Sequence, residues 1–288
     1  MLPLFSSVMH YLSVCSGIES ASVAWKDLGW RAAGFSEVEK FPSQVLLHHY
    51  PNVPNLGDMT KFKEWSFNES IDLVVGGTPC QSFSVSGMRK GLDDPRGNLA
   101  LAYVGILDQL KPTWCIWENV PGVLSSNGGK DFSALLSALA DIGYGFAYRV
   151  LDAQFFGVPQ RRRRVFLVGC LRGWQYSAQV LFEQGCHPRD TQKIQSGIIR
   201  GTGKTITGCL STRVGAYDRQ DLDILIYDYK NNTVRNLMPV ECERLQGFLD
   251  GYTNIEGATD AKRYKAIGNS MAVPVMKWIG ERIKLHNF

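Results

Sequence analysis

The sequence predicts a doubly wound α/β protein: a mostly parallel sheet with helices on both faces, carrying one small irregular insertion rich in β structure and loops. Three observations predict it. Short apolar runs alternate with helical periods over the first 170 residues, and glycines or prolines punctuate their ends. The pattern then lapses between about 171 and 234 before helical periods return. At roughly 150 residues per domain, 288 residues give room for about two domains, or one large one with an insertion.

Each element has a local reason. Tyr11 to Cys15 is a short strand-like run, and Gly17 then opens a helical segment through Ala21, Ala24, Trp25 and Leu28 to a stop at Gly29. Ile71 to Val75 is a second strand ended by Gly76 and Gly77. Apolar residues at 99, 103, 106, 107 and 110 give Asn98 to Leu110 a helical period, with Pro112 just beyond. Trp114 to Trp117 and Val165 to Val168 read as buried strands, and Pro239 to Phe248 and Ala272 to Leu285 as helices. This divides the chain into a main unit at 1–170, an inserted unit at 171–254 and a returning segment at 255–288.

Composition excludes several classes. Hydrophobic residues are 44% and charged residues 20%, enough for a core and unlike a disordered chain. No stretch of about 18 apolar residues occurs, so no membrane helix is expected. Met1 to Val8 lacks a basic start and is a poor signal peptide, and Met9 is an equally good candidate start. The seven cysteines form no CxxC pair and are odd in number, which fits a reducing cytosol rather than disulfides or zinc. The five histidines show no metal-ligand spacing. Residues 1–160 carry 11 Lys/Arg against 15 Asp/Glu, whereas 161–250 carry 14 against 9. A basic second half suits a polyanionic partner, although four of its positives come from the single run Arg161 to Arg164.

Three segments carry chemistry. In Gly76-Gly-Thr-Pro-Cys-Gln-Ser-Phe-Ser84 a strand runs into glycines and a proline and presents Cys80 at its carboxyl end, where ligands bind in open α/β sheets. An isolated Pro-Cys is more often a structural cysteine beside a turn. The loop that follows, Ser86 to Gly97, has the composition of one that closes over a substrate. In Trp117-Glu-Asn-Val-Pro-Gly122 a carboxylate stands at another strand end among apolar neighbours, placed to have a raised pKa and donate a proton. Cys80 and Glu118 on neighbouring strand ends would face one pocket as nucleophile and acid. In Gly157-Val-Pro-Gln-Arg-Arg-Arg-Arg-Val165 an extended backbone puts Gln160, Arg162 and Arg164 on one side and Arg161 and Arg163 on the other. One side can enter a site while the other meets phosphates; a plain solvated basic run is the competing interpretation.

Together these segments resemble the cytosine-5 DNA methyltransferase family of the small bacterial or phage type. Gly76 to Ser84 matches its Pro-Cys-Gln motif, Glu118-Asn119-Val120 its Glu-Asn-Val motif, and Gln160-x-Arg162-x-Arg164 its Gln-x-Arg-x-Arg motif. Arg235-x-Leu237 with Glu241, Arg244 and Gln246-Gly247-Phe248 matches the motif after the recognition region, and Gly268-Asn269-Ser270 with Val273-Pro274 the last motif. Five motifs in order are not chance.

The resemblance implies a Rossmann-like methyltransferase fold, S-adenosylmethionine as cofactor and no metal. Cys15, Gly17 and Ile18 would form the cofactor turn; Glu37 would bind the ribose hydroxyls and Asp58 the adenine amino group. Val38, Met59, Pro79, Leu99, Asn269 and Ser270 would line the remainder. A cytosine flipped out of double-stranded DNA would receive Cys80 at C6 and Glu118 at N3. Arg164 would hold O2, and Arg162 would order the site. DNA contacts would come from Gln81, Ser84, Ser86 and Arg96 of the closing loop, from Arg161 and Arg163, and from Arg213 and Arg235. Arg200, Lys204, Arg219 and Lys230 are further candidates in the recognition region, where Thr205 to Thr212 is the most ordered-looking run. A monomer in the cytoplasm, at the nucleoid of a bacterial or phage-infected cell, is the expected setting.

The chain departs from the family at the cofactor turn. Cys15 stands where an aromatic usually covers the adenine, Glu19 replaces the second glycine, and Ser13 replaces an acidic residue near the end of the first strand. Val38 follows Glu37 where a larger group often stacks. Three alternatives stand beside the leading one. A transfer-RNA cytosine-5 methyltransferase shares these motifs but usually carries a Cys-Phe-Thr signature, absent here. A non-catalytic DNA-binding relative is supported only by the altered turn. A thiol enzyme unrelated to methylation leaves Glu118, the arginine run and the last motif unexplained.

Overall fold

Strands and helices alternate along the first two thirds of the chain. The computed structural model describes residues 8–79, 99–183, 225–228 and 233–286. In order come β1 (His10–Val14), α1 (Ser20–Trp25), β2 (Arg31–Ser36), α2 (Lys40–His49), β3 (Leu73–Gly76) and α3 (Leu99–Leu110). Then follow β4 (Trp114–Asn119), α4 (Lys130–Asp141), β5 (Gly145–Asp152), β6 (Arg163–Cys170) and α5 (Trp174–Leu181). A hairpin of β7 (Leu225–Asp228) and β8 (Thr233–Asn236) precedes α6 (Pro239–Gln246), α7 (Asp260–Asn269) and α8 (Val273–Lys284).

Six strands make one sheet in the order β2-β1-β3-β4-β6-β5. β1 pairs in parallel with β2 and β3, and β3 with β4, while β6 runs antiparallel to β4 and β5. The chain steps from β1 outward to β2 and then back across to β3. That reversal opens a crevice at the carboxyl ends of β1 to β3, where a ligand site belongs.

Period-2 alternation feeds both faces of the sheet. Tyr11, Leu73, Val75, Trp114 and Ile116 pack on one side with Trp25, Met276 and Ile279; Leu12, Val14, Val74, Cys115 and Trp117 pack on the other with Tyr103, Ile106 and Leu135. The last helix is docked tightly against the first. Trp25 Nε1 donates to Met276 O at 2.8 Å, and a Cβ at Gly280 would meet the Trp25 indole at 2.3 Å, so glycine is required there.

Two elements differ from the sequence expectation. The helix expected from Gly17 begins only at Ser20, because Cys15, Gly17 and Glu19 all have left-handed backbones (φ 48°, 57° and 63°). It gives way to a 3₁₀ turn at Lys26–Leu28, with Gly29 (φ 76°) ending it as the sequence suggested. The second difference is α5, which lies in the stretch of about 171–234 where no long helix is expected, whereas α6 falls where a helix is expected. α5 buries Ser177, Val180 and Leu181 and packs on β5, β6 and α8; Cys242, Leu245 and Phe248 belong to the main core. A helix of eight residues shows too few periods to be recognised by spacing. Among the described residues no helix is long and apolar enough to cross a membrane.

Candidate active site

A cavity of about 440 Å³ lies at the carboxyl ends of the parallel strands. One wall is built by the ends of β1 and β2 and by the turn at Gly57–Met59; the other is built by the ends of β3 and β4, by Arg162 and Arg164 at the start of β6, and by the end of α7.

The first wall is stitched by serines. Ser16 N donates to Ser36 O (3.2 Å), Ser36 N to Ser16 Oγ (3.1 Å), Ser16 Oγ to Ser13 O (2.9 Å) and Ser36 Oγ to Gly57 O (2.6 Å). These bonds hold three chain segments in register without needing a bulky residue between them. Glu37 stands at their centre: its carboxylate accepts from Gly17 N at 2.8 Å and Glu39 N at 2.7 Å. Asp58 Oδ1 accepts from Thr60 N and Oγ1, both at 2.9 Å, capping the 3₁₀ helix Met59–Glu64. Cys15 Sγ contacts Met59 Sδ at 3.4 Å, and burial, then Glu37 and Asp58, push its thiol up to about 12. At the rim, Lys265 of α7 grips Glu39 at 2.7 and 2.9 Å.

The second wall carries Glu118. Burial raises its carboxyl above the ordinary value, against the pull of Arg164 and then Arg162. Arg164 Nε lies 3.3 Å from Glu118 Oε1, with both side chains largely buried. A Cβ at Gly77 would sit 3.0 Å from Glu118 Oε2, so glycine leaves room for the carboxylate. The segment leading to Cys80 is tied down from β4: Trp117 Nε1 donates to Thr78 Oγ1 (3.0 Å) and Asn119 Nδ2 to Thr78 O (2.9 Å).

Burial alternates along the arginine run. Gln160 and Arg162 are buried, Arg161 and Arg163 exposed, and Arg164 half-buried. Arg162 reaches inward to Gly268 O (3.0 Å) and Ser270 O (2.8 Å), and its backbone N–H is held by Asp152 Oδ1 at 2.9 Å. Gln160 donates to Leu245 O (2.8 Å), and Gln246 to Ile267 O (3.0 Å). This buried polar network locks the last motifs against the second wall. Sequence reasoning found its members through their motifs but not their joint role, because hydrogen bonds over some hundred residues leave no local pattern.

The residues expected to bind the cofactor divide. Cys15, Gly17, Glu37, Val38, Asp58, Met59, Pro79, Leu99 and Asn269 line the cavity, together with Glu118, Arg162 and Arg164. Ile18 does not: its side chain is fully buried in the core, and its carbonyl accepts from Tyr252 OH at 2.9 Å. Ser270 is not in the wall either; its hydroxyl turns to Met271 O. Arg235 is bound on both guanidinium nitrogens by Glu241 at 2.8 and 2.9 Å, at the entry to α6 and outside the cavity wall. Cys80, Gln81, Ser84, Ser86, Arg96 and Arg213 lie outside the described residues, as do Arg200, Lys204, the run at 205–212, Arg219 and Lys230. Among the described residues no group of His, Cys, Asp and Glu is arranged to hold a metal ion.

The donor set fits an adenosyl ligand. Two carboxylates offer acceptors for hydroxyls and an amine, and small residues (Gly17, Gly57, Val38) leave space for a flat ring.

Known proteins share the sequence pattern and the fold. The family model for C-5 cytosine-specific DNA methylase matches residues 9–196 and 187–285. A protein of Escherichia phage P1 named DNA N-6-adenine-methyltransferase is 34% identical over 95% of this chain, which spans 61% of that protein's length. Type II methyltransferase M2.BsuMI of Bacillus subtilis is 30% identical over 96% of this chain and 75% of its own. The crystal structure of the S. pombe Dnmt2 methyltransferase has the same fold, with a TM-score of 0.72 at 17% identity, covering 97% of this chain and all of that one. With four of the five motifs contributing to one cavity and a family match along nearly its whole length, the chain belongs to the C-5 cytosine-specific DNA methylase family.

Proposed function

We propose that this protein transfers a methyl group from S-adenosylmethionine to C5 of a flipped-out cytosine in double-stranded DNA. The observation that carries it is a shared cavity: the Glu37 and Asp58 carboxylates face the same space as Glu118 and Arg164. Because the chain spans 61% of the phage relative, that relative's whole activity does not transfer to it by likeness.

Glu37 and Asp58 would hold the ribose hydroxyls and the adenine amine, with Val38, Leu99 and Asn269 packing the remainder. The cofactor supplies an electrophilic methyl group. Cys80 adds as a thiolate to C6, and Glu118, whose carboxyl burial raises above its ordinary value against Arg164 and Arg162, hydrogen-bonds N3 so that charge does not build on the ring. Arg164 holds O2, and Arg162 keeps the wall in place. C5, made an enamine carbon by the adduct, would be the acceptor of the methyl, the cofactor's S–CH3 bond breaking to leave S-adenosylhomocysteine; loss of the C5 proton and β-elimination of the thiolate would then free Cys80. Methylation of an exocyclic adenine amine, the reaction in the phage relative's name, needs no thiol adduct, so a Cys80 and Glu118 pair speaks for cytosine. Target recognition falls to the segment within 171–254, and Arg161 and Arg163 are exposed where phosphates can reach them. The working unit is a monomer acting at the nucleoid.

The test uses labelled S-adenosylmethionine and double-stranded DNA of mixed sequence, with Cys80→Ser as control and bisulfite sequencing of the product. Transfer to cytosine C5, lost by at least about a thousandfold in the variant, supports the proposal. DNA binding without transfer favours a binding-only relative. Transfer to RNA alone favours the transfer-RNA branch.

A further inference from the structure

Glu19, two residues beyond Gly17 of the cavity wall, is fully buried and directed behind the turn rather than into the cavity. Its Oε1 caps α1, accepting from Ser22 N and Ser22 Oγ, both at 3.0 Å. Among the described residues its buried Oε2 has no hydrogen-bond partner of ordinary geometry and no ion pair, although the Ser13 and Ser22 hydroxyls pull its pKa down against burial.

The groups that face it are hydroxyls on every side. Tyr11 of β1 shares a 2.5 Å bond with Ser22 Oγ. Tyr50, at the end of α2, bonds Tyr252 OH at 3.4 Å, and Tyr252 in turn holds Ile18 O. Each of these three phenols is raised by burial and feels the Glu19 charge, so each stays neutral near pH 7. Ser13 and Ser22 complete the shell, with His49 stacked on Tyr252 beyond it. Cys15, on the cavity side of the turn, is held as a neutral thiol by burial. Glu37, Asp58 and the Arg162–Arg164 group face the cavity itself.

A buried carboxylate is ordinarily paired with a cation. Here the acid missing at position 13 reappears at position 19, behind the turn, and no cation of the described chain answers it. We propose that Glu19 is a positioning residue for the cofactor's positive charge: it braces the turn that carries Gly17, becomes the counter-charge of a bound sulfonium ligand, and releases its proton to solvent as that ligand binds. The inference rests on the reading of the cavity as an S-adenosylmethionine site. Its physical basis is that a charge in the interior is screened weakly, so a cation arriving near Gly17 shifts the protonation of Glu19 although the two do not touch. Burial pushes the Glu19 carboxyl up to about 7, which puts that proton within reach of the exchange at neutral pH.

Isothermal titration with S-adenosylmethionine tests this, run from pH 6 to 8 in buffers of different ionisation enthalpy. The proteins are the full chain and its Glu19→Gln variant. Expected is an affinity that rises up to about tenfold with pH, matching a shift of about one pKa unit, with net proton release near pH 7. The variant shows neither beyond what the ligand's own amino group contributes, which titrates alike in both proteins. Equal pH dependence and equal proton counts in the two overturn the inference while leaving the cofactor site intact. Should the variant fail to fold, the wild-type chain is titrated with S-adenosylhomocysteine, which lacks the sulfonium charge. A smaller proton release than with S-adenosylmethionine supports the proposal, and an equal release overturns it. No binding of either ligand at any pH overturns the cofactor reading and this inference with it.

Discussion

The two walls of the cavity are built on different principles. The wall with Glu118 follows its family motif residue for residue and is held by long-range side-chain bonds: Trp117 and Asn119 to Thr78, and Arg162 to the end of α7. The wall with Glu37 departs from the motif at Ser13, Cys15, Glu19 and Val38. It is held instead by short serine bonds and by a turn with three left-handed residues, two of them not glycine. A non-glycine residue in that conformation costs about 1–2 kcal/mol. The Glu19 cap on α1 and the Tyr252 bond to Ile18 offset that cost. Chemistry at the reacting ring tolerates little variation in residue type, whereas a turn that cradles a ligand through its backbone can be supported in more than one way.

The sharpest break in this comparison comes from Glu118→Gln. It keeps the shape of the second wall and removes the proposed proton donor, so methyl transfer is expected to fall by about 10²–10⁴-fold while cofactor affinity stays unchanged. Rate and binding measured together decide it; a parallel loss of affinity would mean that the walls are not separable.

Next is Glu19, behind the first wall. Its folded-state carboxyl is raised from 4.5 to about 7. Its stabilising contribution is therefore complete below about pH 4.5 and is lost as pH rises through about 7, an effect on the order of 3 kcal/mol. Relative to Glu19→Gln, the wild-type chain should lose melting temperature between pH 5 and 8. Identical profiles would remove the buried acid from the account.

A smaller gain is expected at Val38, which is 71% exposed at the cavity edge. Val38→Phe adds a ring that can stack on the adenine, worth about 1 kcal/mol or roughly fivefold tighter cofactor binding. Equilibrium dialysis of S-adenosylmethionine reads this directly, and weaker binding would show that the edge is already filled.

Smallest is the Arg235–Glu241 pair, which is partly exposed and lies outside both walls. Arg235 holds the Glu241 carboxyl below its ordinary value, so the pair stabilises above that range and its contribution fades as pH falls through it. Arg235→Gln should cost only about 0.5–1 kcal/mol in a urea melt at neutral pH. A uniform fall in DNA affinity at unchanged stability would return Arg235 to the DNA interface.

Much of this was legible in order along the chain. Strand ends at Gly76 and Glu118, the alternating faces of residues 160–164 and the late helices all follow from periodicity and turn residues, which act over a few positions. The helix start at Ser20 was not legible, because the left-handed backbone at Glu19 depends on a cap and a hydroxyl shell drawn from β1, α2 and the segment after α6. α5 was missed because its buried stripe is only three residues deep. The direction of Ile18 and Ser270 away from the cavity was hidden for a similar reason: a motif names a position, while packing decides which way its side chain turns.

By itself the sequence determined the fold class and the family, since strand and helix periods and ordered motifs are local properties that survive in a linear string. Only the tertiary structure decided that Glu118 and Arg164 meet at 3.3 Å, that Arg162 holds a helix end, and that Glu19 is enclosed with no cation among the described residues. Burial is a sum over distant segments, and it is burial that sets how a carboxylate behaves.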